Sequence, residues 1–243
     1  MSAPLAERLR PQSLDDFIGQ KHLVGKGAVL RKMIESGRVP SIIFWGPPGV
    51  GKTTLANIIA NTVKAPFYKL SAINSGVKDV REVIDKARSS RFFEAVSPIL
   101  FIDEIHRFSK SQQDSLLHAV ETGAITLIGA TTENPSFEVI RPLLSRCQVY
   151  VLKPMEKKDL EELLHKAITE DVILKEMNIR VAETDALFRF SGGDARKLLN
   201  ILELVVSAET SAEIVITDQK VTERLQENPA AYDKGGEMHY DII

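Results

Sequence analysis

The sequence predicts an α/β fold: a five-stranded, mostly parallel sheet flanked by helices, followed by a small all-α domain. Three observations carry this reading. Between residues 42 and 152, short apolar runs alternate with segments of helical spacing. The first run leads through a glycine-rich turn, GPPGVGKTT at residues 46–54, directly into a helix. After Pro154 the strand signals give way to amphipathic helices.

The whole chain narrows the options first. Its 243 residues suffice for one large or two smaller domains with real cores. The 31 Lys and Arg nearly balance the 33 Asp and Glu, which argues against a uniformly basic nucleic-acid binder but leaves room for a local patch. A single cysteine, Cys147, excludes an internal disulfide and fits a reducing compartment. No apolar run is long enough to span a membrane, and MSAPLAERLRPQSLDD lacks the apolar centre of a signal peptide. A cytoplasmic or nucleoid-associated protein is expected.

Taken in order, residues 1–24 read as a surface arm with two apolar anchors, and Ser13 to Asp16 as the start of a short helix. Val29, Leu30, Met33 and Ile34 are spaced for a helix that Gly37 ends. Ile42–Trp45 is a buried strand, and Leu55, Ile58, Ile59 and Val63 mark the helix after the glycine-rich turn. Pro66–Leu70 is a second strand, followed by a loop over Ser71–Gly76 and a helix from Val77. Ser97–Ile102 is a third strand, ending in Asp103-Glu104. Ser109-Lys110-Ser111-Gln112 has the form of a capping box that opens the next helix. Ile125–Ala130 and Val149–Leu152 are the last two strands, with a turn or short helix over 139–147 between them. Strands alternating with helices predict a parallel sheet covered on both faces. The expected domains are therefore 1–153 and a helical lid over 154–228, with 229–243 opening a further region. Within the lid only Ile214–Ile216 has any strand character.

Strand, glycine-rich turn and helix form the setting in which G-x-x-x-x-G-K-[ST] binds phosphates. The loop Gly46-Pro47-Pro48-Gly49-Val50-Gly51 would close around a polyphosphate with the backbone N–H groups of its non-proline residues, and Lys52, Thr53 and Thr54 open the helix whose dipole favours an anion. In this pattern Lys52 reaches the β- and γ-phosphates and the Thr53 hydroxyl ligates Mg²⁺. Ile99-Leu100-Phe101-Ile102-Asp103-Glu104 has the form of a Walker B strand. A carboxylate at a buried strand end needs a partner, and for Asp103 that partner is Mg²⁺ with its waters. Glu104, from the same strand end, is placed to polarise an attacking water. Thr131 and Thr132 end the next strand, where a hydroxyl either orients water and reads the γ-phosphate or simply closes a turn. Arg146, with no acidic residue near it in sequence, is either a solvated surface arginine or a finger for a neighbouring subunit's nucleotide. Arg196 is either a surface residue of its helix, paired with Asp194 or Asn200, or a reporter of the γ-phosphate. His22, His118, His165 and His239 have no metal-ligand spacing, and His106 is either a packed loop histidine or a relay of nucleotide state.

These motifs, with Ser145-Arg146-Cys147 and Gly193-Asp194-Ala195-Arg196, together resemble the AAA+ ATPases of the clamp-loader clade. Longer runs resemble the RarA/MgsA family (replication-associated recombination protein A), which is related to the Werner-helicase-interacting ATPase. These runs are PLAERLRP at 4–11, DEIHRF at 103–108, IGATTENPSF at 128–137 and Tyr232-Asp233-Lys234.

The resemblance implies an ATPase using ATP and Mg²⁺, with Leu9, Arg10, Ile18 and Gly19 near adenine. It implies Thr131 as sensor 1, with Thr132 as the alternative, Arg146 as arginine finger and Arg196 as sensor 2. It implies DNA-dependent turnover at stalled replication forks and single-strand/double-strand junctions, association with single-stranded-DNA-binding protein, and a homotetramer assembled through a region beyond the lid. On that basis the chain is expected to be an N-terminal, mostly monomeric fragment. In related clamp loaders the helix after the second strand faces DNA, which points to Lys78 and Arg81; the other reading is a solvated helix face with Asp79 and Glu82 interleaved. A clamp-loader subunit, a branch-migration motor and an ATP-gated scaffold remain as alternatives.

Overall fold

The computed structural model describes residues 3–71, 76–91, 97–209 and 211–227. Most of the expected Ser71–Gly76 loop and the whole Pro229–Ile243 stretch, with Tyr232-Asp233-Lys234 and His239, lie outside these residues. The chain forms two compact units, one of residues 11–153 and one of residues 1–10 with 154–243.

The N-terminal ten residues are thus not part of the sheet unit, which differs from the expected 1–153 division. A short helix, α1 (Leu5–Arg8), explains why. Leu5 is fully buried, its N–H donates to Glu203, and Arg8 makes a two-pronged ion pair with Asp171. Residues 1–24 are therefore more than a surface arm.

The sheet unit starts with a bend in which the Ser13 hydroxyl donates to Asp16, in place of the expected helix. Two short helices follow, α2 (Lys21–Val24) and α3 (Val29–Glu35). Gly37, at φ 71°, lies just past α3. Then come β1 (Ile42–Trp45), α4 (Lys52–Val63), β2 (Phe67–Ser71), α5 (Val77–Arg91), β3 (Ile99–Asp103), α6 (Lys110–Glu121) and β4 (Thr126–Thr131). Two single-turn helices, α7 (Pro135–Glu138) and α8 (Arg141–Leu144), lead to β5 (Gln148–Val151). The Ser109–Gln112 capping box is present in both directions at the start of α6.

The strand order is β2-β3-β4-β1-β5, and every pairing is parallel. Strand side chains alternate between two apolar clusters. Ile42, Phe44, Phe101, Ile128 and Ala130 pack with α3 and α4, while Ile43, Leu100, Ile102 and Leu127 pack with α5, α6 and α8. Burial on both faces is why the strands read as unbroken apolar runs. Each fully buried side chain such as Phe44 contributes about 1.5–3 kcal/mol.

The second unit is helical, as expected, with one addition. Its helices are α9 (Lys157–Glu170), α10 (Asp185–Ser191), α11 (Ala195–Ser207) and α12 (Asp218–Glu227). Between them β6 (Ile179–Val181) pairs in parallel with β7 (Ile214–Ile216). Ile179-Arg180-Val181 is three residues long, too short for periodicity to separate it from a loop.

Candidate functional site

Three neighbouring strands bring the predicted phosphate-site residues to one end of the sheet. β1 lies beside β4, with Trp45 opposite Thr131, and β4 lies beside β3, with Gly129 opposite Ile102. The glycine-rich loop leaves β1, Asp103 ends β3 and Thr131 ends β4, so all three converge at the strands' C-terminal ends. In an open parallel sheet this edge is where ligands bind.

The loop needs its glycines for different reasons. Gly46 donates its N–H to Thr131 O at 3.1 Å, and a Cβ there would come within 2.3 Å of Leu152 O. Gly49 and Gly51 have φ of 68° and 96°, open mainly to glycine. A Cβ on Gly51 would also meet the Phe17 ring at 2.6 Å. Pro47 and Pro48 are exposed and Val50 anchors the loop in the core. Lys52 is buried, and its ammonium donates to Gly46 O at 2.5 Å and Pro47 O at 2.7 Å. Thr53 and Thr54, both half-buried, follow in the first turn of α4.

Asp103 and Glu104 are half-buried. Glu104 adopts φ 55° and ψ 48°, a left-handed conformation that costs about 1 kcal/mol for a non-glycine residue. It opens a 3-10 turn, Ile105–Arg107, that redirects the chain off the strand axis. Ile105 is fully buried against Gly129, where a Cβ would meet Ile105 Cδ1 at 3.0 Å. That packing carries His106 to the end of β4. Its Nδ1 lies 3.0 Å from Thr131 Oγ1, and its Nε2 lies 3.3 Å from Glu104 Oε2. Thr131 is completely enclosed, and its hydroxyl also pairs with the Glu133 N–H and C=O. Thr132 is half-buried. His106 thus lies between the Thr131 hydroxyl and the Glu104 carboxylate.

The acids and hydroxyls present fit a hard cation with oxygen ligands: the Thr53 hydroxyl starts α4 and the Asp103 carboxylate ends β3. Among the described residues no cluster of three His, Cys, Asp or Glu forms a separate metal site, and no helix is long and apolar enough to cross a membrane.

The remaining site residues lie elsewhere. Ile18 and Gly19 belong to the sheet unit, and Leu9 and Arg10 to the other unit. Gly19 is buried with φ 81°. After it the Gln20 amide holds Lys153 from both sides, donating to its C=O at 2.6 Å and accepting from its N–H at 3.0 Å. Arg10 pairs with Glu7. Arg146 follows α8 and precedes β5. Gln148 sits opposite Ile42, the first residue of β1, whereas the loop follows Trp45, the last. Arg146 is thus at the far end of the sheet from its own loop, about 10 Å away along the strand direction. It is not without an acidic partner: its guanidinium pairs with Glu121, 25 residues earlier at the end of α6, at 2.5 Å. Sequence distance hid that contact. Arg196 is exposed in the first turn of α11, where Asp194 accepts the Lys197 N–H at 2.9 Å. Lys78 and Arg81 are exposed in the first turns of α5, but Asp79 accepts the Gly76 N–H at 2.6 Å and so places a carboxylate at that helix end. Burial raises the Cys147 thiol to about 12.

Comparison with known proteins agrees with this geometry. Residues 42–155 match the family described as "ATPase family associated with various cellular activities (AAA)", and residues 174–243 match the AAA C-terminal domain. Over 99% of its length the chain is 46% identical to Replication-associated recombination protein A of Haemophilus influenzae, and 43% identical to that of Escherichia coli K12. It covers 55% of either, so it spans about half the length of the curated relatives it matches. Among solved structures it resembles the Thermotoga maritima RuvB Holliday junction branch migration motor, with TM-score 0.69 and 27% identity, covering 90% of this chain and 73% of that one. A point mutant of that protein aligns with TM-score 0.74 and 28% identity over 96% of this chain and 77% of that chain.

Proposed function

Because this chain belongs to the AAA+ ATPases, we propose that it hydrolyses ATP with Mg²⁺ and that DNA at replication forks and single-strand/double-strand junctions controls turnover. The observation that carries the chemistry is the convergence of Lys52, Asp103, Glu104 and Thr131 on one end of β1, β3 and β4. The names of the relatives support the setting, replication-associated recombination.

The loop amides and the α4 N-terminus bind the β- and γ-phosphates, and Lys52 exchanges its loop carbonyls for phosphate oxygens. Thr53 and Asp103 hold Mg²⁺, which when bound neutralises phosphate charge. Glu104 orients and polarises the attacking water. Arg146 acts on a neighbouring subunit's nucleotide in this reading, which its position at the opposite end of the sheet from its own loop supports. The roles of Leu9, Arg10, Ile18, Gly19 and Arg196, the single-stranded-DNA-binding protein partner, the homotetramer and the nucleoid location rest on family resemblance. Lys78 and Arg81 would add phosphate contacts, setting affinity and salt dependence with little base reading.

The test is ATP turnover by a chain extended past Ile243, with and without forked DNA. Stimulation by forks or junctions supports the proposal. Turnover indifferent to DNA sinks its DNA half and leaves an ATP-gated scaffold. A second reading, a branch-migration motor, is favoured by the structural likeness to RuvB. Movement of a four-way junction at the expense of ATP would support it.

A further inference from the structure

We propose that His106 is a positioning residue that couples the Thr131 hydroxyl to the Glu104 carboxylate, so that Thr131 acts on hydrolysis through the imidazole. The inference rests on the ATPase reading above. It starts from the burial of Thr131. Thr131 has no exposed surface, and among the described residues its hydroxyl bonds to Glu133 and His106. His106 in turn lies between that hydroxyl and Glu104, the acid assigned to the water.

The donors and acceptors close in one order. The Glu133 N–H donates to Thr131 Oγ1, leaving the hydroxyl one proton to place. Donated to His106 Nδ1, it fixes a neutral imidazole whose Nε2–H points at Glu104. Donated instead to Glu133 O at 3.1 Å, it leaves Nδ1 facing an oxygen that offers no proton. The imidazole must then donate from Nδ1, and it retains a donor for Glu104 only as imidazolium. The orientation of one buried hydroxyl thus decides which donor the imidazole offers the acid. A change at the end of β4 is passed to the end of β3 without Thr131 touching the nucleotide.

Two packing features hold the arrangement. Glu104 is kept in a left-handed conformation, and Ile105 is seated where Gly129 has no Cβ. Neither feature is needed by a histidine that only fills a loop.

The experiment measures steady-state ATP turnover of the same extended chain, together with binding of a fluorescent ATP analogue. The variants are His106→Ala, Thr131→Val and their double mutant, with Glu104→Gln as reference. The relay predicts that His106→Ala lowers kcat about tenfold or more, with nucleotide affinity changed less than about twofold. It also predicts that the double mutant is no slower than the slower single, because both changes break one chain. His106→Gln, which keeps a side-chain donor, should recover part of the rate. Independent multiplied losses, or unchanged kcat in His106→Ala, overturn the relay. Nitrogen NMR of the wild-type imidazole gives a readout that does not depend on the variants folding. A neutral Nε2–H tautomer whose Nδ1 signal moves when Mg and a non-hydrolysable ATP analogue bind supports the relay, and an Nδ1 signal indifferent to nucleotide overturns it. Turnover that Glu104→Gln does not reduce overturns the role given to Glu104 in the proposed function, and the relay with it. Turnover that needs Glu104 and ignores His106 overturns the relay alone.

Discussion

Arg8 grips Asp171 with two nitrogens, Nε at 2.7 Å and Nη2 at 2.9 Å, and so ties the start of the chain to a carboxylate 163 residues away. Asp171 is buried, and it also accepts the N–H groups of Ile173 and Leu174. The hydrogen bond from Arg8 is the main cause holding its carboxyl below the usual aspartate range.

Breaking that pair is expected to loosen the unit that contains it. Arg8→Ala leaves a buried carboxylate with only backbone partners, at a cost of about 3 kcal/mol. Because the folded-state value is depressed, the stabilisation is fully present above the unfolded-state aspartate range, near pH 4. It is lost as pH falls through the lower folded value. Thermal unfolding of wild type and Arg8→Ala should therefore differ widely at pH 7 and converge in acid. An equal gap at both pH values would show that the ion pair is not the source.

Gly51→Ala should abolish nucleotide binding and destabilise the sheet unit by about 2 kcal/mol. Two faults add: a methyl 2.6 Å from the Phe17 ring and a side chain at φ 96°. Adding Phe17→Ala removes the clash and leaves the backbone strain, so titration with a fluorescent ATP analogue should still show no binding. Full rescue would assign the effect to the ring alone.

Arg146→Ala should leave nucleotide affinity unchanged and lower turnover of the assembled protein about a thousandfold. Mixing Arg146→Ala with Lys52→Ala protein should restore turnover, since one contributes an intact loop and the other an intact finger. Absence of recovery in mixed assemblies that form normally would contradict action in trans. Glu121→Gln breaks a partly exposed pair and should shift the melting free energy by no more than about 0.5 kcal/mol.

Cys147, its thiol pushed up to about 12, should react slowly with a thiol reagent at pH 8 in the folded protein and rapidly in denaturant. Fast reaction in the native state would contradict its partly buried packing against the core.

The sequence by itself determined the sheet, the glycine-rich loop and the Asp103-Glu104 strand end. Each is a local pattern: an apolar run of strand length, glycines at fixed spacing, acids directly after a buried strand. It also placed the Ser109–Gln112 capping box, which joins groups three residues apart. Only the tertiary structure decided what depends on contacts distant along the chain. Packing moved residues 1–10 into the second unit through Leu5, Arg8 and Asp171. It paired Arg146 with Glu121 and added the β6–β7 ladder across 35 residues of separation between Ile179 and Ile214. It also set His106 between Glu104 and Thr131. No periodicity links residues 104, 106 and 131, because their meeting follows from β3 lying beside β4 and from Gly129 leaving room for Ile105. Strand order and side-chain packing fix that meeting, and both are properties of the folded chain.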